Sequence, residues 1–171
     1  MAPRAEGDAI NRVSTIMGNM KNKHIRIRVA GIALNNKNEL LLVNHRKNGR
    51  SYWLFPGGGV EFGETIEAAL KREFKEELSI SGLAVENFVF MNDTVYPDGT
   101  RHILNMYFRV KLNKNVKIRV NPEKVLKGAE FVPLKKFRKL LFYPDVKSAI
   151  INGWKKGFKE NLGYIKIRWK K

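Results

Sequence analysis

Apolar and polar positions along the chain follow two rhythms, one with a period of two and one with a period near 3.6. In "HIRIRVAGIAL", Ile25, Ile27 and Val29 alternate with Arg26 and Arg28, which predicts a half-buried strand beginning near His24. "ELLLVNHR" predicts a second strand, with "NNKN" as the turn between them. "NGRSYWLFPGGGV" is punctuated by Gly and Pro and predicts a loop carrying three aromatic residues. The pattern then changes. From Thr65 to Leu78 no Gly or Pro intervenes, Glu64 and Thr65 stand at the start, and Leu70, Phe74 and Leu78 recur at i, i+4, i+8, which predicts an amphipathic helix. Downstream, "LAVENFVFMNDTVY" and "RHILNMYFRVKL" predict two strands joined by a "PDGT" turn. "AEFVPL" predicts a short strand, and "KKFRKLLF" and "DVKSAIINGWKKGF" predict helices. Residues 1–20 have weak periodicity and small or polar residues, so they are expected to be a flexible tail, with Met17 and Met20 as alternative starts. That leaves residues 21–171 as one domain. The order of elements predicts an α/β layered fold with a mixed sheet.

The helix carries a second pattern. At about 100° per residue, Glu73, Glu76 and Glu77 fall within roughly 100° of arc, beside the apolar stripe rather than opposite it. Like charges at i, i+4 such as Glu73 and Glu77 repel, and a hard divalent cation removes that cost. Read alone, the same residues also suit a solvated face, with Lys71, Arg72 and Lys75 as helical partners. The preceding loop favours the cation. Gly57, Gly58 and Gly59 permit close backbone approach, and such a loop offers carbonyls to a metal and amides to a phosphate.

Composition narrows the classes. A chain of 171 residues is long enough to bury one core, and 43% hydrophobic with 29% charged residues is ordinary for a soluble globular protein. No apolar run approaches the roughly 20 residues of a membrane span, and the N-terminus lacks the apolar core of an export signal, so a cytoplasmic protein is expected. With no cysteine there are no disulfides, thiolate zinc sites or cysteine nucleophiles. A net charge of +17 suits a phosphate-rich partner, either a small nucleotide or RNA. The basic residues are spread along the chain with no arginine-rich arm, which also fits a generally basic surface.

The stretch "PGGGVEFGETIEAALKREFKEELSI" resembles the Nudix hydrolase signature G-x5-E-x7-R-E-U-x-E-E-x-G-U, where U is a bulky apolar residue. Gly58, Glu64, Arg72, Glu73, Phe74, Glu76, Glu77 and Ile80 stand at its spacings. Ser79 replaces the usual glycine after the helix, and Phe74 is aromatic where an aliphatic residue is usual. The resemblance implies a Nudix-type α/β/α sandwich with a mixed sheet and a loop–helix–loop. It implies Mg²⁺, or Mn²⁺ in its place, held by Glu73, Glu76, Glu77 and the Gly58 carbonyl, with Arg72 pairing with and orienting a glutamate. One of the three helical glutamates would take the proton from the attacking water. "RHILNMYF" followed by "AEFVPL" resembles later strands of the mutator-type members and nominates Glu130 as a further metal ligand, the alternative being a surface glutamate before a strand. "VNHR" nominates Arg46 for the nucleotide, and Arg101 is a second nomination of that kind. Gly57 would meet phosphate, and Phe55, with Tyr52 and Trp53, would stack on a base or serve as core.

The implied reaction is cleavage of a nucleoside diphosphate linked to another moiety. Tyr96 and Pro97 stand close to positions that separate subfamilies, and the C-terminal pattern favours the ADP-ribose or nucleotide-sugar type. The alternatives are hydrolysis of dinucleoside polyphosphates, oxidised nucleoside triphosphates or RNA 5′ ends, or a non-catalytic RNA-binding regulator. Pairing into a homodimer is a further expectation from the resemblance.

Overall fold

The period-two segments fold as strands in the computed structural model, which describes residues 24–47, 49–113, 116–121 and 126–167. The expected tail, residues 1–20, lies outside the described residues. Strands β1 (Ile25–Ile32), β2 (Leu40–Lys47), β4 (Leu83–Val95), β5 (His102–Leu112) and β6 (Leu126–Val132) fall where the alternation placed them. Strand β3 (Arg50–Leu54) does not, since the loop expected there runs in extended form. Its Tyr52, Trp53 and Leu54 pair with His45, Asn44 and Val43 of β2, so aromatic residues suited to a pleated surface override the flanking Gly and Pro.

The strands form two three-stranded sheets. One has the order β1-β5-β4 and is mixed, with β1 parallel to β5 and β4 antiparallel to it. The other, β3-β2-β6, is antiparallel. The outer edge of β4 is occupied by a C-terminal segment: the Leu162 N–H donates to Val89 O, Met91 N–H to Gly163 O and Ile165 N–H to Met91 O. Tyr164 adds a hydroxyl bond to the Asp93 carboxylate.

Helix α1 (Ile66–Leu78) starts at Thr65, whose Oγ1 accepts the Ala68 N–H. It buries Leu70, Phe74 and Leu78 completely, each contributing about 1.5–3 kcal/mol of burial. This stripe packs with Val29, Leu41, Val43 and Val110 from both sheets. Phe74 is accommodated because β1 offers Gly31 beneath it: a Cβ there would lie 2.6 Å from the ring. Ser79 ends the helix in the left-handed conformation at φ 56°, its N–H bonded to Lys75 O while Ile80 N–H reaches Phe74 O. Helices α2 (Leu134–Phe137) and α3 (Lys147–Lys155) are shorter than the sequence suggested. They cover a second, aromatic core of Phe55, Phe90, Tyr107, Phe137, Phe142, Trp154 and Phe158. No helix among the described residues is long and apolar enough to cross a membrane.

β1 departs from its simple alternation. Ile25 and Ile27 are 56% and 43% exposed, and only from Val29 onward is the apolar face buried. The packing cluster of α1 takes in Val29 and Ala33 but neither of the first two isoleucines. Arg28, on the polar side of the pattern, is half-buried and turned into the protein.

Candidate active site

The glycine loop is laid against β1 as an extra rung of sheet. Gly31 N–H donates to Pro56 O at 2.9 Å, Val29 N–H to Gly58 O at 2.9 Å, and Val60 N–H to Ile27 O at 3.0 Å. Two of its glycines are required by contact. At Gly57, with φ 138°, a Cβ would meet Val29 O at 2.2 Å. At Gly58 it would meet the Glu73 carboxylate at 2.0 Å. The first glycine lets the loop touch the strand, and the second lets a helical carboxylate touch the loop.

Two carboxylates of α1 reach the loop in different settings. Glu73 is held by Arg72, whose guanidinium donates to Glu73 Oε1 at 2.9 Å, to both oxygens of Glu64 at 2.7 and 3.2 Å, and to Gly59 O at 2.9 Å. Glu64 in turn accepts the Glu61 N–H, and its carboxyl is held below the usual range, chiefly by the Arg72 hydrogen bonds. Glu77, one turn along, accepts the Gly57 N–H at 3.0 Å and is half-buried. Burial pushes its carboxyl up to about 7, against the Gly57 N–H and the charge of Arg28, which favour the ionised form.

Arg28 joins this centre to a cleft of about 680 Å³. Its guanidinium donates to Phe55 O and Gly57 O, both at 2.9 Å. Beyond it the cleft is lined by Tyr52, Tyr96 and Tyr143, by Thr94 and Asn105, and on its rim by Arg101 and Lys147. Tyr52 and Tyr143 meet edge to face at 5.6 Å, and Arg101 lies over the Tyr96 ring at 5.8 Å.

The nominated residues separate against this geometry. Glu73, Glu77, Gly57 and Gly58 come together; Arg72 braces them, and Arg101 reaches the cleft. Glu76 stays on the exposed side of α1 near Arg72, at 3.4 Å. Gly58 O already accepts the Val29 N–H, which leaves its second lone pair. Arg46 is exposed opposite Ser51 on β3 and does not line the cleft. Two nominations are corrected. Phe55 is fully buried against Tyr107 and Phe142, so its ring is core and stacks on no ligand. Glu130 sits opposite Leu42, on the face of β6 away from the Ala129 and Phe131 side chains that pack with the helix cluster, and both its oxygens bond Lys136 at 2.7 Å.

Arg28, Thr94 and Asn105 went unmarked in the sequence. Arg28 was hidden in the polar half of an alternation. The signal for Thr94 and Asn105 was only faint: polar side chains within strands whose neighbours are strongly apolar.

Among the described residues, no three His, Asp or Glu side chains gather at one point. The local chemistry still fits a divalent cation. Glu73 occupies the space of a Gly58 side chain, and the adjacent half-buried Glu77 carboxylate meets positive charge only through Arg28. These are hard oxygen donors of the kind that would hold Mg²⁺, linked to the cleft through Arg28.

A family model described as the NUDIX domain matches residues 24–151. The mRNA-decapping protein D10 of Fowlpox virus (strain NVSL) is 30% identical over 120 residues, covering 67% of this chain and 53% of the relative. The RNA pyrophosphohydrolase of Orientia tsutsugamushi (strain Boryong) is 38% identical over 60 residues, 35% of this chain and 37% of the relative. The chain thus spans about a third to a half of the length of these curated relatives. Among solved structures, a MutT protein from Methanosarcina mazei Go1 superposes with a TM-score of 0.65 at 19% identity, covering 81% of this chain and 99% of that one. Its α/β fold, with a mixed sheet flanked by helices, is the fold of this protein.

Proposed function

This chain belongs to the NUDIX hydrolase superfamily, and we propose from that premise that it is a Mg²⁺-dependent pyrophosphohydrolase of a nucleotide-linked substrate. The observation that carries the reading is the pairing of Glu73 and Glu77 against consecutive glycines of the loop, beside a cleft that Arg28 connects to them. Glu73, Glu77 and the free lone pair of Gly58 O would hold the cation, with Glu76 on the same helix edge. When bound, the cation neutralises phosphoryl oxygens and lowers the pKa of coordinated water.

The remaining work belongs to the chain. Arg72 fixes the Glu73 carboxylate, and the Gly57 N–H fixes one oxygen of Glu77. One of the helical glutamates takes the proton of the attacking water. Arg28 spends two hydrogen bonds on carbonyls and keeps further N–H donors for the non-bridging oxygens of a diphosphate. Tyr52, Tyr96 and Tyr143 supply rings against which a nucleoside packs.

For the leaving moiety we favour the ADP-ribose or nucleotide-sugar type, supported by a cleft sized for a small molecule. A second reading, removal of diphosphate from RNA 5′ ends, is supported by the activities named for the two curated relatives and by the net charge of +17. The test is a Mg²⁺-dependent hydrolysis panel of ADP-ribose, nucleotide sugars, dinucleoside polyphosphates, oxidised deoxynucleoside triphosphates and triphosphorylated or capped RNA, with products identified. Turnover of ADP-ribose or a nucleotide sugar to a nucleoside monophosphate supports the first reading. Pyrophosphate release from RNA with small nucleotides untouched supports the second, and no turnover across the panel sinks the proposal.

A further inference from the structure

One face of the β4–β5 ribbon carries a polar ladder that ends in the cleft. Phe90 faces Tyr107 in the core, Asn92 faces Asn105 one rung outward, and Thr94 faces Ile103 one rung further. Asn92 is fully buried and Asn105 is 5% exposed, yet neither amide is spent on ordinary pairing. Both direct Nδ2 to the same acceptor, Thr94 Oγ1, each at 3.3 Å. The Asn92 Oδ1 is left buried with no partner. An orphaned buried oxygen is unfavourable and calls for a reason.

The donor inventory supplies one. A hydroxyl has two acceptor positions and one proton. With both acceptor positions taken by amides, Thr94 can meet a ligand only as a donor. With one Nδ2 hydrogen committed to Thr94, the Asn105 amide is held in one orientation and offers its Oδ1 to a ligand as an acceptor. Both residues line the cleft, so its floor presents one donor beside one acceptor, fixed from beneath by Asn92.

We propose that Thr94 and Asn105 are specificity-determining residues that read the edge of a nucleobase, accepting rings that offer a hydrogen-bond donor adjacent to an acceptor. Asn92 is a positioning residue that fixes the direction of the Thr94 hydroxyl. The inference rests on the reading that the cleft takes the nucleoside of the substrate. It adds that the base is selected by hydrogen bonds, so the aromatic walls alone do not set the choice. A site built around a fixed donor and acceptor rejects a ring that leaves either unpaired.

The experiment needs binding and not turnover, so it separates this inference from the proposed reaction. Wild type, Thr94→Val, Thr94→Ser and Asn105→Leu are titrated in Mg²⁺ with AMP, GMP, CMP and UMP. Each is then titrated with the tightest binder carrying methyl groups on its edge donor. In wild type and Thr94→Ser, methylation is expected to weaken binding about 10- to 100-fold. In Asn105→Leu the two forms should bind within about threefold of each other, because the acceptor for the edge donor is lost, while Thr94→Val, which loses only the hydroxyl donor, should weaken both forms relative to Thr94→Ser. An Asn105→Leu variant that keeps the wild-type ratio overturns the inference, and so does a Thr94→Val variant that binds as tightly as Thr94→Ser. So does a wild type that binds none of the four nucleotides. Edge-dependent binding without hydrolysis of any panel substrate would overturn the proposed reaction and leave this inference standing.

Discussion

The two ends of the glycine loop hold the same pair of chemical groups, a carboxylate and an arginine, in opposite condition. At the Gly58–Gly59 end, Arg72 is saturated: it bonds three glutamates and a carbonyl, and its carboxylates stand at the edge of solvent. At the Gly57 end, Arg28 spends its bonds on carbonyls, and Glu77 is half-buried with a single backbone N–H. The first arrangement holds a shape. The second keeps charge available, because a half-buried carboxylate with few partners gains most from an arriving cation. Sequence spacing makes these glutamates look equivalent, and their hydrogen-bond partners make them different.

That contrast can be broken by substitution. The largest effect should come from Glu77→Gln, which is expected to lower Mg²⁺-dependent turnover about 100-fold or more while leaving the melting temperature unchanged or raised, since it removes a buried charge. Full activity in that variant would remove Glu77 from the site. Arg72→Ala should do the reverse in kind: a loss of about 10- to 100-fold in activity, from a Glu73 no longer held, together with weaker Mg²⁺ dependence measured as a higher half-saturating concentration. Ser79→Gly should stabilise by about 1 kcal/mol in urea unfolding with activity intact, because the left-handed φ of 56° is strained for serine and free for glycine.

The smallest effect is one of pH. His45 sits partly buried beside Tyr52, and burial with the charge of Arg28 lowers its pKa to about 4. The unfolded chain therefore protonates near pH 6.5 while the fold resists until about 4. Stability from this residue is complete above 6.5 and declines as pH falls from 6.5 toward 4. Unfolding midpoints of wild type and His45→Gln should converge or cross over that window, and parallel curves would show that the Arg28 side carries no such sensitivity.

The helix and the loop were readable in advance because each obeys a local rule. Leu70, Phe74 and Leu78 repeat on a helical period, Thr65 is a capping residue, and Gly57 and Gly58 are needed by contacts that a fixed motif encodes. The parts that escaped depend on neighbours distant in sequence. Ile25 and Ile27 alternate like core residues, but no element covers them, and Arg28 alternates like a surface residue but is drawn inward by carbonyls 27 and 29 positions away. Phe55 stands beside the glycine loop in sequence and in the aromatic core in space. Glu130 has the residue type of a ligand, and strand parity turns it to the wrong face. Thr94 acquires a direction only when two asparagines from adjacent strands close on it.

The C-terminal segment bonded along β4 has a consequence for the solubility of the chain. Without residues 162–165, Val89 and Met91 would present unpaired backbone groups on an exposed sheet edge, a template on which a second molecule can add its own strand. The same segment ends by placing Ile167 in the wall of the cleft. Removing this segment would therefore open the cleft and create a self-association surface in one step, and the second defect would reach the experimenter first, as precipitate.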